Sequence, residues 1–168
     1  FLRLRFAQLS EAERILESLA EIDAEDPQVR FLIAQYCLQT TQINQLLNQG
    51  DELWLDTEVF WPLKLCQAAL MLQTNQLGQV DLVLNSIPAG YQDTLEVIRL
   101  RCRLLSRQSL YRKALDLLLP AVNRFPEHIP ATVHLLHLTY QARSQEQTLP
   151  CLKKAINEHG EQAEFLGP

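Results

Sequence analysis

Apolar side chains recur along this chain at spacings of three and four residues, whereas strict alternation of apolar and polar residues is nearly absent. The first pattern is typical of amphipathic helices and the second of strands. Turn-forming residues, for example Asp26-Pro27 and Pro88-Ala89-Gly90, interrupt the pattern. The sequence therefore predicts an all-α protein. Its expected helices lie near residues 9–23, 27–40, 43–55, 58–74, 77–87, 92–107, 110–125, 129–143 and 146–159, after a partial helix at 1–6.

The predicted helices repeat in pairs with a period of 34 residues, and no insertion is needed. Two series carry the period, one in the middle of each first helix and one near the start of each second helix: Ala34, Ala68, Cys102 and Leu136, and Leu46, Val80, Ala114 and Thr148. One pair of helices has too little apolar surface to bury alone, so we expect neighbouring pairs to stack on one another.

This register resembles the tetratricopeptide repeat, a 34-residue helix-turn-helix unit, over nearly the whole chain. The match is best over residues 95–127, where the family's small, aromatic and large apolar positions are occupied by Cys102, Tyr111, Ala114, Leu118 and Ala121, and where Pro126 follows the second helix. The resemblance implies a right-handed superhelical array of antiparallel helix pairs that forms a single domain over residues 1–168. Because the chain starts without Met and inside an apolar pattern, we expect it to be part of a longer protein.

Composition narrows the classes of function. Apolar residues make up 47% of the chain and charged residues 21%, which excludes wholesale disorder. The formal net charge of −5 argues against general affinity for nucleic acid or for an anionic membrane. No apolar run approaches the roughly 20 residues that span a bilayer. The four cysteines are far apart in sequence and predict buried thiols in a reducing compartment, so we expect a soluble cytoplasmic protein.

The sequence offers little catalytic chemistry. The glycines form no common phosphate-binding loop. His134 and His137, with His128 upstream, are a weak metal-site pattern, and packing or groove lining is the favoured interpretation. Cys66 and Cys102 fall among apolar helix positions and are interpreted as core residues rather than nucleophiles. We therefore predict no catalytic residue, no metal and no cofactor within this segment.

Three aromatic residues, Trp54, Phe60 and Trp61, surround the predicted turn between two helices. They form either an exposed docking patch or a plug between repeat units. Because aromatic side chains bury large apolar areas, we favour the plug.

The resemblance also implies a binding surface, since family members bind ligands in a concave groove lined by the first helix of each pair. Its first half is predicted to be apolar with glutamine and its second half cationic and aromatic. The predicted partner-binding residues are Phe31, Gln35, Leu65, Leu72, Gln73, Arg99, Arg103, Arg107, His137, Tyr140 and Gln141. The three arginines share one helix face, because they are four residues apart. They either bind an acidic ligand or form a solvated face that Glu96 neutralises.

The expected function is a non-catalytic protein–protein interaction module that binds a protein or peptide segment, acidic at one end, in its groove. The alternative is the substrate-recruiting arm of a larger enzyme such as a transferase. Self-association through exposed ends of the array is a further hypothesis.

Overall fold

A computed structural model of the chain describes residues 2–48, 50–54, 60–142, 149–150 and 153. This part of the chain contains helices and short connections and no strand, which confirms the all-α prediction. The helices are α1 (Leu2–Asp23), α2 (Pro27–Gln39), α3 (Ile43–Asn48), α4 (Pro62–Gln73), α5 (Leu77–Asn85), α6 (Leu95–Arg107), α7 (Tyr111–Arg124) and α8 (Ile129–Ala142), with 3₁₀ turns at Gly50–Trp54 and Ala89–Tyr91. They belong to two compact units, Phe1–Gln79 and Val80–Pro168.

In the first unit, α2 packs against α1, α3 and α4. Asp26 begins α2, because its side chain accepts a hydrogen bond from the backbone N–H of Gln28 at 2.7 Å and Pro27 takes the first helical position. The buried core of this unit consists of Ala34, Cys37, Leu46, Leu53, Cys66 and Leu70.

In the second unit, α7 packs between α6 and α8. The α6 side chains Leu95, Ile98 and Cys102, at positions i, i+3 and i+7, face this core. The α7 and α8 residues that complete it are Ala114, Leu115, Leu118, Ala121, Val122, Ala131, Leu135 and Leu138. Helix α7 ends at Arg124, two residues before Pro126, as the sequence predicts.

One turn conformation recurs three times at intervals of 34 residues. Thr41, Asn75 and Ser109 have φ angles of 60°, 61° and 61°. In each turn the residue after the left-handed one donates its backbone N–H to a carbonyl five residues earlier at 2.8 Å, the bond that defines a Schellman helix end. The second helix of each pair then begins at Ile43, Leu77 or Tyr111. The three turns therefore share one geometry, although none of them uses glycine.

Burial follows the same period. Ala34, Ala68 and Cys102 are each 0% exposed, and the series Leu46, Val80 and Ala114 is 0–1% exposed. Leu136 differs, because 38% of its surface is exposed.

The structure corrects several predicted boundaries. The separate helix at 1–6 is wrong, because α1 runs without a break and contains neither glycine nor proline. The helix predicted at 43–55 is interrupted where Gly50 adopts a φ of 64°, and a 3₁₀ turn follows. The next helix begins at Pro62 rather than near residue 58. The helix predicted at 146–159 lies almost wholly outside the described residues.

The aromatic residues around the α3–α4 connection pack inward. Trp54 is half-buried against the core of the first unit. Phe60 contacts Phe31 edge to face, with ring centroids 5.7 Å apart. Trp61 directly precedes α4 and is also half-buried. For Trp54 and Phe60 the favoured interpretation as packing residues is confirmed.

An arginine-lined cleft as the candidate functional site

Helix α6 places three arginines on one face because its other positions are apolar. Leu95, Ile98 and Cys102 face the core of the second unit. Arg99, Arg103 and Arg107 follow one another at four-residue steps, each about 6 Å along the axis, so the row is about 12 Å long. Charged side chains so spaced are neighbours on the helix surface.

The arginine row forms one wall of a cleft of about 480 Å³ in the second unit. Helix α8 supplies the opposite wall, and the start of α7 supplies Tyr111. We call this surface the arginine cleft, and its lining residues are Arg99, Arg103, Ser106, Arg107, Tyr111, His134, His137 and Gln141. Every one of them can donate a hydrogen bond, and none is acidic.

The cations of the arginine cleft have no ionic partner among the described residues. Nowhere in that part of the chain does a carboxylate lie within 4.0 Å of the guanidinium of Arg99, Arg103 or Arg107. The Nε atom of Arg99 is buried and donates to no acceptor there. A buried donor without an acceptor is costly, and an anion in the cleft would supply one.

The pKa values of two of these arginines are lowered. Burial lowers the pKa of Arg99, and the charge of Glu96 partly opposes this shift. Burial also lowers the pKa of Arg103, and repulsion from Arg99 and Arg107 lowers it further. Arginine still keeps its proton at physiological pH. Glu96 therefore moderates the charge of Arg99 without forming an ion pair with it.

His134 is the most strongly perturbed base in the arginine cleft. It is half-buried, and its pKa is lowered to about 4 by burial and then by repulsion from Arg99, Arg103 and His137. His134 is therefore neutral at physiological pH. A neutral imidazole can donate through one nitrogen and accept through the other.

The third histidine of the sequence pattern has a different task. The Nδ1 atom of His128 accepts a hydrogen bond from the backbone N–H of Ala131 at 3.1 Å, at the start of α8. Across the described ranges, no three His, Cys, Asp or Glu side chains come together as metal ligands would.

The structure brings together five of the predicted partner-binding residues: Arg99, Arg103, Arg107, His137 and Gln141. Tyr140 does not line the arginine cleft, and 76% of its surface is exposed. Sequence reasoning left His134 and Tyr111 out of the predicted binding set. The short spacing of His134 from His137 was the available signal, because residues three apart share a helix face.

The predicted groove residues of the first unit do not form a comparable site. Gln35 and Gln73 are exposed, while Phe31 and Leu65 are half-buried. The prediction that Leu72 lines an accessible groove is wrong, because only 2% of its surface is exposed. Two clefts in this unit, one beside Tyr36 and one beside Trp54, are lined by other side chains.

The cysteines are confirmed as core residues wherever the structure describes them. Cys37, Cys66 and Cys102 are buried, free thiols. Burial raises the pKa of Cys66 and of Cys102 to about 12, so neither forms a thiolate nucleophile at neutral pH. Cys151 lies outside the described residues.

A second cleft of the second unit, of about 730 Å³, contains Arg101, which stands at a position that is usually apolar in tetratricopeptide repeats. Arg101 donates to Oδ1 of Asn85 at 2.9 Å and to Oε1 of Gln92 at 2.6 Å. The amide nitrogen of Gln92 in turn donates to the carbonyls of Leu84 and Ile87. Arg101 therefore ties the connection before α6 to the end of α5, which explains a polar residue at this position.

No protein-family model matches this chain, and neither a curated protein sequence nor a solved structure is significantly similar to it. In the part of the chain that the structure describes, every helix falls short of the length or the apolar character that crossing a bilayer requires.

Proposed function

We propose that this chain is a non-catalytic protein–protein interaction module and that its arginine cleft binds an acidic segment of a partner protein. The observation that carries the proposal is a row of three arginines that lines a cleft with no carboxylate among its residues. Neighbouring like charges on a helix repel one another by about 0.2–0.5 kcal/mol per pair. A carboxylate bound between them relieves this repulsion and makes charge-assisted hydrogen bonds.

The proposal includes a tetratricopeptide-like array of helix pairs. The Schellman turns at Thr41, Asn75 and Ser109 support it, because one backbone geometry recurs at the family's repeat length. The burial of Ala34, Ala68 and Cys102 supports it as well, since the family has a small residue at these positions. A right-handed superhelix is the arrangement that such repeats adopt, and we propose it for this chain.

A binding role fits the chemistry of the cleft better than catalysis does. His134 is an uncharged imidazole among cations, and the described cysteines with a pKa of about 12 are core residues. A nucleophile, a base that activates it and a group that stabilises the developing charge would all be needed in one place. The buried free thiols also suit the reducing cytoplasm, where we propose that the module acts.

The test uses a fluorescein-labelled peptide of six glutamates and measures its affinity by anisotropy at low salt. Replacement of Arg99, Arg103 and Arg107 together by glutamine is expected to weaken binding at least tenfold, because each lost charged hydrogen bond contributes about 1.5–3 kcal/mol. The affinity of the unaltered protein should fall as salt rises.

The matched control removes the same charge from α7, where Arg112, Lys113 and Arg124 are exposed and lie outside the arginine cleft. Their replacement by glutamine should change the affinity by less than the cleft variant does. A peptide of six glutamines should bind neither protein. Equal affinity of the cleft variant and the unaltered protein for the acidic peptide, or no binding of that peptide at low salt, would contradict the proposal.

A further inference from the structure

The arginine cleft holds a neutral histidine at the place where an acidic ligand would enter. His134 on α8 shares the cleft with Arg99 and Arg103 on α6. We infer that binding of an acidic segment in the arginine cleft is coupled to uptake of a proton by His134, so that the cleft binds its ligand more tightly as the pH falls from neutral to mildly acidic. This inference rests on the proposed function.

The groups that face His134 among the described residues are mainly cationic. Helix α6 contributes Arg99, Arg103 and Arg107, with Glu96 acting on Arg99, and α7 contributes the neutral hydroxyl of Tyr111. Helix α8 itself contributes His137. In the empty cleft a charged His134 would add a further positive charge to this set. Repulsion from the cations, together with burial, therefore keeps its pKa low.

A bound carboxylate reverses the balance. It neutralises part of the arginine charge and offers the imidazolium an acceptor, and both effects favour the protonated form of His134. The pKa of His134 in the complex must then exceed its value of about 4 in the free protein. By linkage, the ligand binds more tightly wherever the complex holds more protons than its separate components.

The size of the effect follows from the two pKa values. If the ligand restores the ordinary histidine pKa of about 6.5, the affinity at about pH 5.5 is about tenfold higher than at about pH 8. Above about pH 7.5 both forms are neutral and the dependence disappears. A glutamate side chain, with a pKa of about 4.3, stays largely ionised across this window, so the ligand itself contributes little to the change.

The experiment measures the affinity of the six-glutamate peptide between about pH 8 and about pH 5.5 at constant ionic strength. Titration calorimetry in two buffers with different ionisation enthalpies counts the protons taken up per complex. His134→Asn should bind with an affinity that varies less than about threefold over this range, and His137→Asn is the matched control on the same helix. A tenfold gain that persists in His134→Asn would overturn the inference, and so would a calorimetric proton count of zero at about pH 6.

A second measurement avoids any dependence on how the variants fold. The NMR signal of the His134 imidazole in the unaltered protein should titrate below about pH 5 when the cleft is empty and above about pH 6 when the peptide is bound. Equal titration in the two states would overturn the inference even if the peptide binds. Failure of the peptide to bind at any pH would instead overturn the proposed function, so the two failures are distinguishable.

Discussion

Replacement of Leu118 by alanine tests whether the second unit depends on the packing that the 34-residue register predicts. Leu118 is 0% exposed in the core between α6, α7 and α8. The change removes three carbon atoms, which contribute about 0.8 kcal/mol each through burial, and it leaves a cavity. Alanines such as Ala114 and Ala121 share this core and have no side-chain torsion with which to fill the space. We therefore expect a loss of about 3–4 kcal/mol, within the range of about 2.7–5.0 kcal/mol known for buried leucines.

Urea unfolding followed by far-ultraviolet circular dichroism measures this loss. Tryptophan fluorescence is less suitable, because Trp54 and Trp61 lie in the first unit and Leu118 lies in the second. With a slope of about 2 kcal/mol/M, the expected shift of the midpoint is about 1.5–2 M. Leu136→Ala is the matched control, since Leu136 is 38% exposed and should cost less than about 1 kcal/mol. Equal midpoints for the two variants would refute the reasoning.

Two further predictions concern the repeated turns and the buried thiols. Glycine in place of Ser109 or Thr41, whose φ angles are 61° and 60°, should raise the melting temperature by an amount that corresponds to about 0.5–1 kcal/mol, because only glycine adopts this conformation without strain; calorimetry checks this, and a lowered melting temperature would argue against a strained turn. Cys66 and Cys102 should resist an aromatic disulfide reagent at about pH 8 in the native protein and react fully in denaturant, because burial raises both pKa values to about 12. By linkage, stability should also decline as the pH rises above the model thiol value of 9.0, since the folded state retains protons that the unfolded state releases; rapid native labelling mapped to either residue would contradict this prediction.

Helix positions could be predicted from the sequence more accurately than helix ends. The starts of α3, α5 and α7 follow from the register, because the same apolar position recurs at Ile43, Leu77 and Tyr111. The left-handed turns before them could not be inferred from composition, since threonine, asparagine and serine occupy the position where glycine is the usual signal. The predicted break before residue 9 was wrong for a related reason. The repeat pattern indicated a boundary there, although no residue in that stretch breaks a helix.

The arginine side of the candidate site could be predicted because one helix face follows directly from spacing within α6. The opposite side depends on how α8 is rotated against α6, and spacing within one helix does not contain that information. His134 was omitted from the predicted set and Tyr140 was included for this reason. Leu72 shows the same limit, since a register can assign a residue to a helix position without determining how completely neighbouring segments cover it.

The register also explains why positive charge is concentrated in the second unit. Two pairs of equivalent positions, 34 residues apart, meet across the arginine cleft, because Arg103 and Arg107 on α6 correspond to His137 and Gln141 on α8. In the first unit the positions equivalent to the three arginines carry no charge, since they are Phe31, Gln35 and Gln39 on α2 and Leu65, Ala69 and Gln73 on α4. The residues that form the turns and the buried core therefore keep the scaffold constant, while substitution at a few surface positions of the same repeat sets its electrostatics. On this reasoning, an acidic ligand makes its charged contacts with the second unit.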